Sequence, residues 1–138
     1  MRAILFLTQI MTDKLKRAQA IIESIYSTTI GNSSNPASMS FYQLDTYRFF
    51  FLLAFMQEHF EGSEISQEYA ISLVPKKYAS RIKRLQVLKQ SVQLGYINEE
   101  SSLVDKRRRI YTPSDSMTND FLDMTESVSR LSDSKKVS

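Results

Sequence analysis

The sequence predicts a mainly α-helical protein that carries one small β-hairpin. Apolar residues recur at three-to-four spacing through most of the chain, which is the period of a helix with one buried face. The three glycines and three prolines all fall where such a stretch stops or starts. Glycine suits the left-handed position just past a helix end, and proline suits a first helical turn. These observations predict five helices, with the hairpin before the last one.

The composition is that of one ordinary globular domain. Hydrophobic residues make up 42% of the 138 residues and charged residues 24%, which is enough for one modest core. No apolar run approaches the roughly 20 residues that span a membrane. The chain has no cysteine, so disulfides and zinc–thiolate sites are excluded and a cytoplasmic location is expected. We expect a single domain over residues 1–131 and a disordered tail over residues 132–138.

The N-terminal half is predicted to contain three helices. The first covers residues 12–30 and the second residues 41–60. The second includes the run Phe49–Met56, which is apolar nearly all the way round and is therefore expected to be enclosed on most sides. Ser66 suits an N-cap, and it opens a short third helix that runs through Val74.

The C-terminal half is predicted to contain a longer helix, the hairpin and a last helix. The longer helix runs from Lys76 to Leu94. Two short strands, Tyr96-Ile97 and Arg109–Thr112, surround a charged tip, and Ser114 can cap a last helix over residues 116–131. Two closely joined helices followed by a two-stranded hairpin form a winged helix-turn-helix. The predicted fold is therefore mainly α with a small β-hairpin wing.

Basic charge is concentrated in one stretch of the chain. From Pro75 to Arg109 there are ten Lys/Arg and three acidic residues, a local balance of +7, whereas the remaining residues carry eight basic and twelve acidic side chains, a balance of −4. A surface that binds a polyanion needs basic charge confined in this way. A solvated helix face followed by a charged loop would give the same count, so the charge alone leaves both interpretations open.

A helical wheel of the longer helix separates an apolar face from a basic face. The predicted buried stripe consists of Tyr78, Ile82, Leu85, Leu88 and Val92, with Val87 on the opposite face. In helix-turn-helix proteins the start of this helix enters the major groove, where lysine and arginine can donate to guanine. The residues predicted to bind DNA here are Lys76, Lys77, Ser80, Arg81, Lys83 and Arg84. Alternatively, their charges only keep an amphipathic helix soluble.

The predicted hairpin tip carries four consecutive basic residues. Lys106, Arg107, Arg108 and Arg109 would repel one another without a counter-anion. Asp105 can pair with one arginine, and DNA phosphates or the electronegative minor groove can satisfy the others. We therefore predict that these four residues bind DNA.

This segment resembles the MarR family (multiple-antibiotic-resistance regulators), whose wing carries an Asp-x-Arg motif. Asp105 and Arg107 match that pair, and Ser114 stands where the family has a capping threonine. Ile65-Ser66 is similar to the family's Leu-Thr opening of the first helix-turn-helix helix, and Gly95-Tyr96-Ile97 to its glycine and two apolar residues after the recognition helix. The resemblance covers residues 41–131 by element order and residues 65–115 by motif.

The sequence departs from the family at two places. Pro113 replaces the usual leucine before the cap, and the stretch from Ser80 to Gly95 is about two residues longer than the usual spacing. The longer spacing affects which residues would contact bases more than it affects the fold.

The resemblance implies a sequence-specific transcriptional regulator of double-stranded DNA. It implies that Arg107 is the minor-groove residue of the wing and that Asp105 is its salt-bridge partner. It further implies a homodimer built from the helices at 12–30 and 116–131, around a DNA-binding core at 64–112. Many members of the family respond to small aromatic ligands. Tyr, Phe and Met side chains between the helices could line such a pocket, or could simply pack in the core.

The sequence offers little material for catalysis, and we expect neither an enzyme nor a bound cofactor or metal. The single histidine, His59, lies near a predicted helix end, where a packing or capping role is expected. Glu99 and Glu100 are adjacent on a predicted strand and so point to opposite faces. All three glycines are isolated, so no phosphate-binding glycine loop is present.

A second hypothesis keeps the fold and changes the function. The chain could be a winged-helix adaptor that contacts protein, or a replication or segregation factor of a mobile element. Exposure of the apolar side chains in Phe49–Met56 would favour the adaptor, and their burial would favour the regulator.

Overall fold

A computed structural model describes residues 2–28 and 34–136 of the chain, without the side chains of residues 28 and 131–136. Within these ranges the chain forms six helices and two strands. In chain order they are α1 (Arg2–Thr28), α2 (Ala37–Tyr42), α3 (Thr46–Phe60), α4 (Gln67–Ser72), α5 (Arg81–Gln93), β1 (Ile97–Ser101), β2 (Arg109–Pro113) and α6 (Asp115–Lys136). The strands pair antiparallel, from Ile97 with Pro113 to Ser101 with Arg109. The predicted class, mainly α with a β-hairpin wing, is confirmed.

The chain divides into two compact units. One consists of residues 36–121, and the other of residues 1–35 together with residues 122–138. The two terminal helices are both longer than predicted, since α1 already begins at Arg2 and α6 continues through Lys136. The helix end predicted at Gly31, and the last two residues of the predicted tail, lie outside the described residues.

The core of residues 36–121 is built around α3. Its side chains Phe51, Leu52, Phe55 and Met56 are buried, whereas Phe50 and Leu53 are partly exposed, so α3 is less enclosed than predicted. The other elements contribute the buried side chains Met39, Tyr42, Ile65, Leu88, Ile97 and Met117. Together these residues form one contiguous apolar interior beneath the helix-turn-helix.

One hydrogen-bonded chain crosses this interior. The Tyr42 hydroxyl donates to Ser91 Oγ at 2.7 Å, and Ser91 Oγ donates to the Val87 carbonyl at 2.6 Å. Burial raises the pKa of Tyr42 well above its usual value, so the hydroxyl keeps its proton as a donor. These bonds make it possible to bury Ser91 completely on α5, because a buried polar group is tolerated when it is partnered.

The helix predicted over residues 41–60 is in fact two helices. α2 ends at Tyr42, and α3 begins after Asp45, whose extended backbone (φ −137°, ψ 155°) places it at the N-cap position. Aspartate is a poor residue for a helix interior and a good one for a helix start. Its carboxylate lies 3.1 Å from Nε of Arg48 in the first turn of α3. The apolar periodicity of the sequence continues across the break between α2 and α3, so periodicity alone predicted one continuous helix.

The helix-turn-helix consists of α4, a turn and α5. As predicted, Ser66 caps α4, because its Oγ accepts the Tyr69 N–H at 3.2 Å. The prediction that the next helix begins at Lys76 is wrong, since residues 73–80 form the turn and Tyr78 N–H donates to the Pro75 carbonyl at 3.0 Å. α5 begins at Arg81. Proline therefore opens a turn here rather than a helix.

Backbone contacts fix the hairpin beside α4 and α5. Gly95 ends α5 with a φ of +82°, as predicted for a glycine just past a helix end. Tyr111 N–H then donates to the Ile65 carbonyl at 2.9 Å, which attaches β2 to the residues that precede α4. Ser114 caps α6, as predicted, through the Met117 N–H at 3.1 Å. The hairpin is therefore held at the N-terminal end of the helix-turn-helix.

Candidate nucleic-acid interface

The buried face of α5 differs from the predicted stripe. Arg84, Val87, Leu88 and Ser91 face the core, whereas Ile82 is 69% exposed. Tyr78 precedes the helix and is also exposed. The helical wheel did not predict this buried face because two of its four residues, Arg84 and Ser91, are polar. Their hydrogen-bond partners from other elements are brought to them only by the folded chain.

The corrected register shows which residues α5 presents to solvent. Residues four, three and four apart lie on one face of a helix, and Ile82, Gln86, Lys89 and Gln93 have this spacing and are all exposed. Lys83 is exposed at the margin of this face. The predicted stripe and the buried face share Leu88 but differ around it, so the helical wheel placed Ile82 on the buried side and left Gln86 and Lys89 without a role.

Arg84, predicted to bind DNA, is instead a structural residue. It is only 7% exposed, and its Nη1 donates to the carbonyls of Ile71 at 3.0 Å and Val74 at 3.3 Å. The Ile71 carbonyl lies in the last turn of α4, where a helix leaves acceptors unpaired, and the Val74 carbonyl lies in the turn that follows. Arg84 therefore joins α5 to the end of α4 and does not belong to the exposed basic surface.

The residues that precede α5 lie in the turn and at the helix cap. Lys76 and Lys77 are exposed in the turn, and Nζ of Lys77 lies 5.0 Å from the ring centroid of Tyr78. Ser80 is the N-cap of α5, since its Oγ accepts the Lys83 N–H at 3.2 Å. The Ser80 hydroxyl remains exposed, so its proton is available to a ligand while its oxygen caps the helix.

Arg81, the first residue of α5, is paired with Glu68 of α4. Nη2 and Nη1 of Arg81 donate to the two carboxylate oxygens of Glu68 at 2.6 and 3.1 Å. This hydrogen bonding holds the pKa of Glu68 below its usual value and the pKa of Arg81 above its own. Glu68 also lines a shallow surface cavity with Arg108 and Arg109 of the hairpin. The start of α5 and the tip end of the wing strand β2 therefore border the same acidic residue.

The wing comprises β1, β2 and a tip loop over residues 102–108. Lys106, Arg107 and Arg108 are exposed in the tip. Asp105, predicted to form a salt bridge, accepts the Arg107 backbone N–H on its Oδ1 at 3.0 Å, and no ion pair joins it to an arginine among the described residues. It therefore shapes the loop and leaves the Arg107 guanidinium free to meet a ligand.

The base of the wing contains an acidic residue that binds two neighbours. Glu99 accepts the Tyr111 hydroxyl at 3.0 Å and lies 3.8 Å from Nε of Arg109. Burial and this hydrogen bond raise the pKa of Tyr111 to about 12. Arg109 is thus partly neutralised within the wing, while the three basic residues of the tip are not.

Other kinds of site find no support in the described part of the chain. No group of three or more His, Asp or Glu side chains within residues 2–28 and 34–136 could hold a metal ion. His59 packs against Phe60 with ring centroids 5.8 Å apart. None of the helices in these ranges combines the length and apolar character that a membrane span requires.

Comparison with known proteins gives one distant likeness. No protein-family model matches the sequence, and no curated protein matches it. Among solved structures, the chain is similar to a protein from Bacillus cereus described as a MarR-like transcription regulator, with a TM-score of 0.47 and 10% sequence identity. The likeness covers 98% of this chain and 82% of that chain. The winged helix-turn-helix is therefore assigned from the order and contacts of this chain's own elements.

Proposed function

We propose that this protein is a MarR-like transcriptional regulator that binds double-stranded DNA as a homodimer. The observation that carries the proposal is the position of Glu68, which binds Arg81 at the start of α5 and shares a surface cavity with Arg108 and Arg109 of the wing. The two basic segments of the chain thus meet at the N-terminal end of α4. A helix and a basic hairpin side by side suit a major groove and the adjacent minor groove.

The major-groove surface would consist of the exposed face of α5. Its thirteen residues form a helix about 20 Å long. The diameter of a helix with its side chains, about 10–12 Å, fits the major groove, which is roughly 12 Å wide. Gln86 can bond an adenine edge through its amide, Lys83 and Lys89 can donate to guanine or phosphate, and Ile82 can contact a thymine methyl group. This set replaces the major-groove residues predicted from the sequence. Three of those residues lie within α5: Arg81 is paired with Glu68, Arg84 is buried, and Lys83 is exposed without an ion-pair partner among the described side chains.

Several exposed cations would supply the phosphate contacts. They are Lys76, Lys77, Lys83, Lys89, Lys106, Arg107 and Arg108, none of which has an ion-pair partner within the described part of the chain. Unpaired cations on one surface bind a polyanion by releasing its counterions. Phe51, Leu52, Phe55 and Met56 are buried, which favours a regulator over a protein adaptor, while Phe50 and Leu53 of the same helix are partly exposed.

A second copy of the chain would cover α1. Ten large apolar side chains of this helix are more than half exposed: Ile4, Leu5, Phe6, Leu7, Met11, Leu15, Ile21, Ile22, Ile25 and Tyr26. So much apolar surface on a helix about 40 Å long is unfavourable in water. A two-fold symmetric dimer would bury it and would read a roughly palindromic site.

The proposal is tested by recovering fragments of the source genome on the purified protein. We expect a small set of fragments that share a palindromic sequence and lie at promoters. Recovery of fragments without a common sequence would favour a replication or segregation factor, and recovery of none would contradict DNA binding.

A further inference from the structure

The wing tip exposes two apolar residues that no contact of the fold explains. Leu103 is 99% exposed and Val104 is 92% exposed. Water orders unfavourably around side chains of this kind, so a fold gains nothing by displaying them. One residue, Asp105, separates them from the basic run Lys106–Arg109, and the sequence pattern assigned them no role.

The tip loop holds these two residues outward in a fixed conformation. Ser102 is buried beneath the loop, and its Oγ accepts the backbone N–H groups of Val104 at 3.2 Å and Asp105 at 3.4 Å. Ser102 N–H donates to the Arg108 carbonyl at 2.8 Å, and Arg108 N–H donates to the Asp105 carbonyl at 2.9 Å. A loop closed by four such bonds loses little conformational entropy when it binds, so the exposed pair is presented ready for a ligand.

The ligand of this tip has to accept an apolar side chain and carry dense negative charge. Lys106, Arg107 and Arg108 follow Leu103 and Val104 in the same loop and have no ion-pair partner among the described side chains. The minor groove of duplex DNA meets both requirements. Its potential is most negative where A·T pairs narrow it, and leucine is among the residues that insert between base steps there.

We propose that Leu103 is an apolar wedge that inserts at a TpA step in an A·T-rich minor groove and bends the duplex. Val104 supports it against the sugars, and Lys106, Arg107 and Arg108 bind the phosphates on either side. A TpA step suits this wedge because pyrimidine–purine steps unstack most easily. The inference rests on the proposed function. It adds that the protein prefers a TpA step where Leu103 inserts, although no hydrogen bond to a base is made there.

The test compares the wild-type protein with the double variant L103S/V104S on two synthetic duplexes of equal length. One duplex is A·T-rich with a central TpA step that carries 2-aminopurine, and the other is G·C-rich. Anisotropy of an end label measures affinity, and 2-aminopurine fluorescence reports unstacking. Leu44→Ser is the matched control, since Leu44 is a similarly exposed leucine outside the wing, between α2 and α3.

We expect the wild type and Leu44→Ser to bind the A·T-rich duplex about tenfold more tightly than the G·C-rich duplex and to raise 2-aminopurine fluorescence. L103S/V104S should lose both effects and still bind the G·C-rich duplex with wild-type affinity. If the wild type binds duplexes and L103S/V104S behaves identically, the wedge is wrong and the proposed function stands.

Two further outcomes would also overturn the inference. If neither protein binds any duplex, the proposed function fails together with the wedge. The wild type is also tested on phosphatidylserine vesicles. If it binds them, and L103S/V104S loses vesicle binding but keeps wild-type DNA binding, the tip is a membrane-surface contact instead.

Discussion

Arg84 is a charged residue that serves the fold. Its Nη1 donates to the carbonyl of Ile71 at the end of α4, where the helix dipole places partial negative charge, and to the carbonyl of Val74 in the turn that follows. An arginine can do this from α5 because its long side chain carries several donors at its end. Arg84 therefore joins α5 to the end of α4 and to the turn between the two helices.

Arg84→Met should lower the free energy of unfolding by about 2 kcal/mol, because two buried carbonyls lose a charged donor. Urea denaturation, with an unchanged m-value, measures the effect. Lys83→Met is the matched control, since Lys83 is the exposed neighbour and its replacement should cost less than about 0.5 kcal/mol. Equal stability of the two variants would mean that the Arg84 contacts contribute nothing.

Glu68 places negative charge on the surface proposed to face DNA. Its side chain is largely exposed, and its pKa is held low by hydrogen bonds from Arg81, so it remains ionised at neutral pH. An ionised carboxylate repels phosphates and occupies the Arg81 guanidinium. We therefore expect Glu68 to lower the affinity of the proposed surface for DNA.

Glu68→Gln should tighten duplex binding about fivefold at low salt, because the repulsion is removed and Arg81 is released. The increase should diminish as salt is added. Glu126→Gln is the control, since it removes the same charge from an exposed carboxylate in α6, which lies 3.6 Å from Nε of Arg130. Unchanged affinity for Glu68→Gln would place α4 outside the interface.

At the scale of elements, α5 carries the proposed base contacts on the face that contains Gln86. Gln86→Ala should weaken binding to the preferred sequence about tenfold and leave binding to unrelated duplexes unchanged, because base contacts determine specificity and phosphate contacts do not. Competition anisotropy measures both affinities.

Gln93→Ala provides the control for this prediction. Gln93 lies on the same exposed face as Gln86 but near the C-terminal end of α5, which is farther from the groove when the N-terminal part of the helix enters it. A larger effect at Gln93 than at Gln86 would mean that α5 lies in the groove in the opposite orientation.

Several helix caps were predictable from the sequence, because local groups determine them, whereas the start of α5 and the break between α2 and α3 were not. Ser66 and Ser114 cap the helices that they were expected to cap, and Gly62 and Gly95 have the positive φ that follows a helix end. The register of α5 was not predictable in this way. Its buried face includes Arg84, whose acceptors come from another helix and cannot be inferred from periodicity.

The site was predictable in part, and for the same reason. Exposed lysines and arginines can be recognised wherever the chain is charged, and Lys106–Arg108 are exposed at the tip as expected. The Arg81–Glu68 pair joins residues thirteen positions apart, and the outward position of Leu103 depends on hydrogen bonds within a folded loop. Contacts of this kind leave no local pattern in the sequence.

At the scale of the whole molecule, charge and apolar surface are concentrated in different segments. The stretch from Pro75 to Arg109 has a balance of +7 and the rest of the chain −4, while large exposed apolar side chains are frequent along α1. This distribution suits a protein whose basic segment binds a polyanion and whose N-terminal helix binds another copy of the chain.

Leu15→Ser with Ile22→Ser should convert a dimer into a monomer. The two residues lie two turns apart on one face of α1 and are more than half exposed, so the double change removes apolar surface that a dimer would bury. Sedimentation velocity measures the mass, and Leu44→Ser should remain dimeric. A wild-type protein that is monomeric at micromolar concentration would contradict the proposed dimer.

The most direct test of the central claim is the salt dependence of duplex binding. We predict that log affinity falls steeply and linearly with log salt concentration for the wild type, and that R107A/R108A reduces the slope by about 1.8, since each phosphate contact contributes about 0.9. K14A/R17A, which removes two exposed cations of α1, should retain the wild-type slope. Equal slopes for all three proteins, or weak binding insensitive to salt, would contradict a DNA interface formed by α5 and the wing.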